Sequence, residues 1–178
     1  MRYLLILSVL VLAAPAVMSG NFSGMFSAYA CDGCTDDPEP ENLWVQKHNE
    51  ARSAVGVSDI VWDESLAVVA KKHADELARK CGGLYHSRSE YGENIASSWG
   101  HNPNYNAVDA WVREKQWYDY RTNTCQKGKV CGHYTQVIWR STNYLGCAVS
   151  SCKKNGTKKK YRVCSYKPSG NWVGERPY

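Results

Sequence analysis

Apolar positions recur at helical spacing in three stretches of this chain and then give way to strand-like runs near its end. Trp44, His48, Ala51 and Val55 form the first stripe, in a helix that begins near Leu43 and is ended by Gly56. A second helix takes Asp63 as its N-cap and runs through Leu66, Ala70, His73 and Leu77 to Cys81, stopping at Gly82-Gly83. A polar stretch, Tyr85 to Tyr91, leads into a short strand at Glu93-Asn94-Ile95-Ala96. The third helix carries Ala107, Ala110, Trp111, Glu114, Trp117 and Tyr118 at steps of three and four, which sets Glu114 in the middle of an apolar face. A buried carboxylate costs several kcal/mol unless it is paired or faces a solvated cavity, so roughly that much must be compensated here. Leu145–Ser151 and Tyr161–Tyr166 read as two strands of a hairpin. Helices and a small antiparallel sheet are segregated along the chain, which predicts an α+β fold.

The N-terminus changes the picture of where this fold resides. Met1-Arg2, an apolar run from Leu4 to Ala14 and small residues beyond it have the layout of a secretory signal peptide, residues 1–20. Ala14-Pro15-Ala16 and Val17-Met18-Ser19 both suit cleavage, and Ala28-Tyr29-Ala30 would place it as late as residue 30. The run is too short to span a bilayer. Residues 31–41 form a leader with Pro38 and Pro40, and the domain follows over 42–178, about 150 residues remaining after cleavage, which is enough for one core. Eight cysteines in a secreted chain predict disulfides. Cys31-Asp32-Gly33-Cys34 stands apart on a turn pair and reads as a small local loop or an interchain link, not a redox pair. Cys81, Cys125, Cys131, Cys147, Cys152 and Cys164 fall inside the domain, and spacing alone leaves their pairing open.

Net charge is +5, much of it at Lys153, Lys154, Lys158, Lys159, Lys160 and Arg162. This reads as the solvated tip of the hairpin, and Asn155-Gly156-Thr157 within it is a glycosylation acceptor. A basic cluster also suits anionic wall polymers or membrane headgroups, while no motif for nucleic acid accompanies it. His48 and Arg52, one turn apart on a buried face, read as satisfied core polar groups; His73 reads as a packing histidine and His101 as a loop residue. A Gly-x-Ser-x-Gly elbow and a His-Glu-x-x-His helix are both missing, and an even cysteine count leaves no thiolate nucleophile.

The decapeptide Cys131-Gly132-His133-Tyr134-Thr135-Gln136-Val137-Ile138-Trp139-Arg140 ties a histidine to the edge of a core. It closely resembles the signature of the CAP superfamily, the cysteine-rich secretory, antigen 5 and pathogenesis-related 1 proteins. His48-Asn49-x-x-Arg52, Tyr91-Gly92-Glu93-Asn94-Ile95, Trp111-Val112-Arg113-Glu114-Lys115 and Val163-Cys164-Ser165-Tyr166 resemble further family motifs. The ending Pro168–Tyr178 is most similar to the plant pathogenesis-related 1 branch.

The resemblance implies a three-layer α-β-α sandwich with the disulfides Cys81–Cys152, Cys125–Cys131 and Cys147–Cys164. It also implies a central cavity holding His86, Glu93, Glu114 and His133, whose ligand types suit weak binding of zinc or another divalent ion, with no cofactor required. The same four suit a hydrogen-bonded structural network or, as an alternative, a metal-dependent secreted protease. Trp117, Tyr118 and Tyr120 occupy the position of the family's sterol-binding loop, and aromatic walls suit a flat apolar ligand. Completing the core face of the third helix is the competing role for Trp117 and Tyr118. The implied protein is a non-enzymatic, monomeric, extracellular defence protein, in the apoplast if from a plant, whose partners are sterol or another lipid and microbial membrane or wall. The resemblance also implies a precursor of a signalling peptide, Pro168–Tyr178, marked by Pro168, Gly170, Asn171, Pro177 and Tyr178. Ser165 and Lys167 depart from the asparagine and aspartate usual before that peptide, so the residue preceding the cut is basic instead of acidic.

Overall fold

In a computed structural model, which describes residues 39–100 and 105–178, the helices are laid on both faces of one mixed sheet. The signal segment, Cys31, Cys34 and His101 lie outside the described residues. Helix α1 is Glu41–Ser53 and buries Trp44, His48 and Arg52, with Gly56 at positive φ just past its end. A two-residue strand β1, Val61–Trp62, leads into α2, Glu64–Lys80. Asp63 caps α2 by accepting the Ser65 N–H at 2.8 Å, and Cys81 ends it in the left-handed region. Strand β2 is Gly92–Trp99, longer than the four residues expected.

The order of the main sheet is β1-β5-β6-β2, with β5 Tyr144–Lys154 and β6 Thr157–Lys167 forming a long antiparallel hairpin and β1 pairing parallel to β5. Asn155 and Gly156 close the hairpin, both at positive φ, as a two-residue turn whose twist matches the flanking strands. Strand alternation then sorts the core. Ile95, Tyr161 and Val163 pack with Ala70, Ala74 and Leu77 of α2 on one face. Leu145, Cys147, Cys164 and Tyr166 pack on the other face with Trp44 of α1, Trp111 of α3 (Ala107–Val112) and Val137 of α4 (Gly132–Val137). This is the expected α+β three-layer sandwich. A smaller two-stranded sheet pairs β3, Tyr118–Asp119, with β4, Thr124–Cys125.

The three expected disulfides are present: Cys81–Cys152 ties the end of α2 to β5, Cys147–Cys164 staples the hairpin, and Cys125–Cys131 closes the loop before α4. Helix α2 lies so close to β5 that a Cβ on Gly146 would stand 2.0 Å from the Ala67 nitrogen, so only glycine fits there. Arg52 ties α1 to the opposite end of the layer. Its guanidinium is buried and donates to the carbonyls of Ser58, Val137, Trp139 and Thr142 at 2.7–3.1 Å. Burial lowers its pKa to about 10, so it stays charged at neutral pH.

The third helix differs from the expectation. Its α-helical part ends at Val112, a 3-10 turn covers Arg113–Trp117, and Tyr118 already belongs to a strand. Trp111 and Glu114 are both buried, while Trp117 is half-exposed. The lysine cluster is also only partly the solvated tip expected of it. Lys153 and Lys154 are exposed, but Lys159 is buried with its ammonium bonded to the Gly82 carbonyl and lying over the Trp99 and Tyr161 rings. Arg162 is buried on Glu39 and under Tyr105.

Candidate functional site

Helix α4 starts at the Cys131 disulfide, and Cys131 offers it no side-chain cap. Glu114 supplies one from the 3-10 turn. Its Oε2 accepts the backbone N–H of His133 at 3.0 Å and of Tyr134 at 3.2 Å, and its Oε1 meets His133 Nδ1 at 2.7 Å. Two orphan N–H groups of α4 are thereby satisfied by a carboxylate at the positive end of the helix. The His133 ring is stacked on Trp111, with centroids 6.2 Å apart. The buried carboxylate that stood out in the sequence is therefore fully engaged: it caps one helix from the end of another.

Glu93 plays a parallel part at the start of β2. Its Oε1 accepts the Ser87 N–H at 2.9 Å and meets His86 Nδ1 at 2.8 Å, which holds the segment between α2 and β2. His73 holds the start of that segment by donating from Nε2 to the Tyr85 carbonyl at 2.8 Å. Glu93 has the strand parity of Ile95, which faces α2, whereas Asn94 has the opposite parity and donates to the His133 carbonyl at 3.0 Å and to the Tyr166 hydroxyl. The four histidine and glutamate residues thus form two carboxylate–imidazole pairs. Among the described residues no group of three or more His, Cys, Asp or Glu side chains is gathered to hold a metal ion. Both oxygens of Glu114 and Oε1 of Glu93 are engaged by backbone N–H groups and the paired imidazoles, and the described residues as placed do not form a zinc site of three or four protein ligands.

The remaining polar core of the family motifs is structural. His48 is fully buried, with Nδ1 at 2.8 Å from the Trp44 carbonyl and Nε2 at 2.8 Å from the Tyr166 hydroxyl. Desolvation lowers its pKa to about 4, opposed by the Trp44 carbonyl and assisted by nearby Arg52. The Tyr166 hydroxyl is pushed up by the same burial. Gln136 of the signature decapeptide reaches Thr142 with its amide nitrogen, and its Oε1 accepts the Gly170 N–H at 3.0 Å.

The open space lies elsewhere. A cavity of about 310 Å³ sits between the Cys125–Cys131 loop, α4 and the C-terminal tail, with Tyr118, Thr135, Trp139, Asn171 and Trp172 among its walls. Tyr118 is half-buried, edge-on to Tyr134, and donates to Asn123 Oδ1 at 2.7 Å. Trp117 is half-exposed, with the Lys129 ammonium 4.9 Å above its ring. Tyr120 is exposed and stacks on Tyr178 with centroids 4.3 Å apart. Neither Trp117 nor Tyr118 is fully buried, and Tyr118 packs against the main core.

The sequence presents the tail, residues 168–178, as the end of the domain and as a releasable peptide, and carries no expectation of how it docks. The tail is stitched down along its length. Pro168 and Lys167 are exposed, and Gly170 lies so close to Trp139 that a Cβ there would stand 2.5 Å from the indole. Asn171 bonds Thr135 and the Gly132 carbonyl, Asn123 donates to the Glu175 carbonyl, and Pro177 is buried with its carbonyl on the Arg140 N–H. The one sequence signal for this was composition: Trp172, Arg176 and Tyr178 are costly residues for a free end.

A mixed sheet between two helical layers, clipped by three disulfides and carrying a helix-capping glutamate beside a histidine, defines a class of disulfide-stapled α-β-α sandwich. The chain belongs to the CAP family: the model of the cysteine-rich secretory protein family matches residues 45–166. It is 47% identical to pathogenesis-related protein 1 of Arabidopsis thaliana over 76% of this chain and 80% of that one. It is 44% identical to pathogenesis-related protein PRMS of Zea mays, over 86% and 91% of the two chains. Among solved structures it is similar to NaASP2, crystallised with Zn2+, at 25% identity and a TM-score of 0.61 over 82% of this chain and 90% of that one. It also shares its fold with venom allergen-like protein 4 of Schistosoma mansoni, at 22% identity and a TM-score of 0.60 over 77% and 92%.

Proposed function

We propose that this is a secreted, non-enzymatic defence protein of the pathogenesis-related 1 type that takes sterol or a related lipid from microbial membranes on its Trp117–Tyr120 loop. One observation carries the reading: Tyr118 walls a cavity of about 310 Å³ while Trp117 and Tyr120, on either side of it, remain partly or largely exposed. Aromatic walls, Tyr118 with Trp139 and Trp172, suit a flat apolar ligand better than a charged one. Kinship with plant pathogenesis-related 1 proteins supports the defence role. The engagement of Glu93 and Glu114 by backbone N–H groups supports a structural part for the two histidine–glutamate pairs, and no step is assigned to a metal. The test is binding of a radiolabelled sterol by the wild type and by the Trp117→Ala, Tyr118→Ala, Tyr120→Ala triple variant. Saturable binding lost in a folded variant supports the reading, and no binding by the folded wild type refutes it.

The exposure of Lys167 and Pro168 favours a second reading, in which the tail is a peptide precursor. The bond between them is within reach of a protease. Mass spectrometry of the secreted fluid for a fragment beginning at Pro168 tests it, and finding only the intact tail under defence-inducing conditions refutes it.

A further inference from the structure

The aromatic loop and the C-terminal tail, which the sequence presents as separate features, are in contact. Tyr178 stacks on Tyr120 at an interplanar angle of 11°, and the Tyr120 hydroxyl donates to the Tyr178 carbonyl. Arg176 donates to the carbonyls of Tyr120 and Arg121, and its guanidinium lies 5.4 Å from the Tyr120 ring centroid. Asn123 adds a bond to the Glu175 carbonyl at 2.9 Å. The loop thus has two of its backbone carbonyls, one ring face and one side-chain amide occupied by residues 175–178. The tail also supplies part of the cavity wall through Asn171, Trp172 and Pro177.

Two consequences follow from this geometry. A flat ligand cannot lie on the Tyr120 face that Tyr178 covers, and a cavity of about 310 Å³ is at the small end of the range for organic ligands, which runs from about 300 to 1,000 Å³. Moving the tail would uncover the ring and widen the cavity together. The outer tail is suited to such movement: residues 171–176 are exposed and lie outside every helix and strand. Its hold on the loop is made of stacking and hydrogen bonds, and the one buried residue in it, Pro177, would give up its seat and its bond to the Arg140 N–H when the tail moves.

We propose that residues 175–178 are a tethered clamp on the aromatic loop, so that lipid binding at Tyr118–Tyr120 and docking of the tail exclude one another. The lipid arm of this proposal rests on the sterol reading given above; the clamp itself does not. A ligand that binds only the unclamped form sees its affinity reduced by the fraction unclamped. A clamp closed about nine-tenths of the time therefore weakens apparent binding about tenfold.

The test uses the full secreted chain, its Arg176→Ala variant and its Arg176→Ala, Tyr178→Ala variant, each checked for wild-type thermal melting. Arg176 is exposed and outside the core, so the single variant carries the test if the double one misfolds. Titration with a fluorescent sterol should give dissociation constants about tenfold lower for the variants, and equal or higher constants would overturn the proposal. If no chain binds sterol, the sterol reading fails, and the clamp is decided by amide hydrogen exchange over residues 119–123. Faster exchange there in Arg176→Ala, without change in α2, sustains the clamp, and unchanged exchange overturns it.

Discussion

Acid should weaken this fold through a single buried imidazole, and the effect can be isolated. His48 is fully buried, between the Trp44 carbonyl and the Tyr166 hydroxyl. The partners assign the neutral tautomer: Nδ1–H donates to the carbonyl and Nε2 accepts from the hydroxyl, which in turn accepts from Asn94. Protonation would put a second cation beside Arg52 and remove the acceptor that Tyr166 needs. Burial accordingly lowers the pKa from 6.5 to about 4. Between those values the unfolded chain binds the proton and the folded one does not. Stability from this group is complete above pH 6.5, declines as the pH falls, and is lost by about pH 4. At 1.36 kcal/mol per unit the total is about 3 kcal/mol, a large share of a typical domain's stability. The assay is urea unfolding of the wild type and His48→Gln between about pH 4 and pH 7. Glutamine keeps a neutral donor and acceptor and removes the titration. Carboxylates held low by hydrogen bonds, such as Asp63 and Glu76, act equally in both proteins and cancel in the difference. The stability difference should shrink by about 3 kcal/mol toward acid pH. A difference that does not change with pH would refute the reasoning.

Other outcomes follow from the packing. Arg52→Met should cost at least about 3 kcal/mol, because it leaves the carbonyls that Arg52 binds without their donor; denaturant melts of secreted protein measure it. Gly146→Ala should abolish accumulation of folded protein, since the new methyl meets the backbone of α2 at Ala67 and not a movable side chain, and a near-wild-type melting temperature would contradict that. Replacing both cysteines of Cys81–Cys152, which are 71 residues apart, should cost about 4 kcal/mol, against about 2 kcal/mol for Cys125–Cys131, 6 residues apart, when compared in the same melts. Glu114→Gln should lower stability by about 1–2 kcal/mol through the weakened cap of α4, with the loss measured by thermal melting.

Much of the fold was legible because local signals agreed with tertiary ones. Asp63 before an apolar stripe marks a helix start by its own side chain, and the two strand-like runs Leu145–Ser151 and Tyr161–Tyr166 on either side of a lysine-rich tip mark a hairpin. The disulfide pairs were legible only through family resemblance. The third helix misled because its three-residue steps fit both an α-helix and a 3-10 turn, and the bonds from Glu114 to the N–H groups of α4 are tertiary and carry no local signal. His86 and Glu93 carry no such local signal, since their pairing spans a loop whose path is set by His73 and Tyr85. The single ligand cavity is what the family resemblance implies. In the structure each carboxylate is joined to one imidazole and to backbone N–H groups, as two pairs.

Gly170 against Trp139 has a consequence for any cut after Lys167. Severing that bond would not by itself free the fragment that begins at Pro168. The glycine stays seated on an indole, its N–H stays on Gln136, and Pro177 stays buried at the far end. The immediate product would be a nicked, two-chain protein holding its own fragment non-covalently. Cleavage and delivery of the peptide are then separate events in time, and the second is governed by a dissociation rate written into the scaffold.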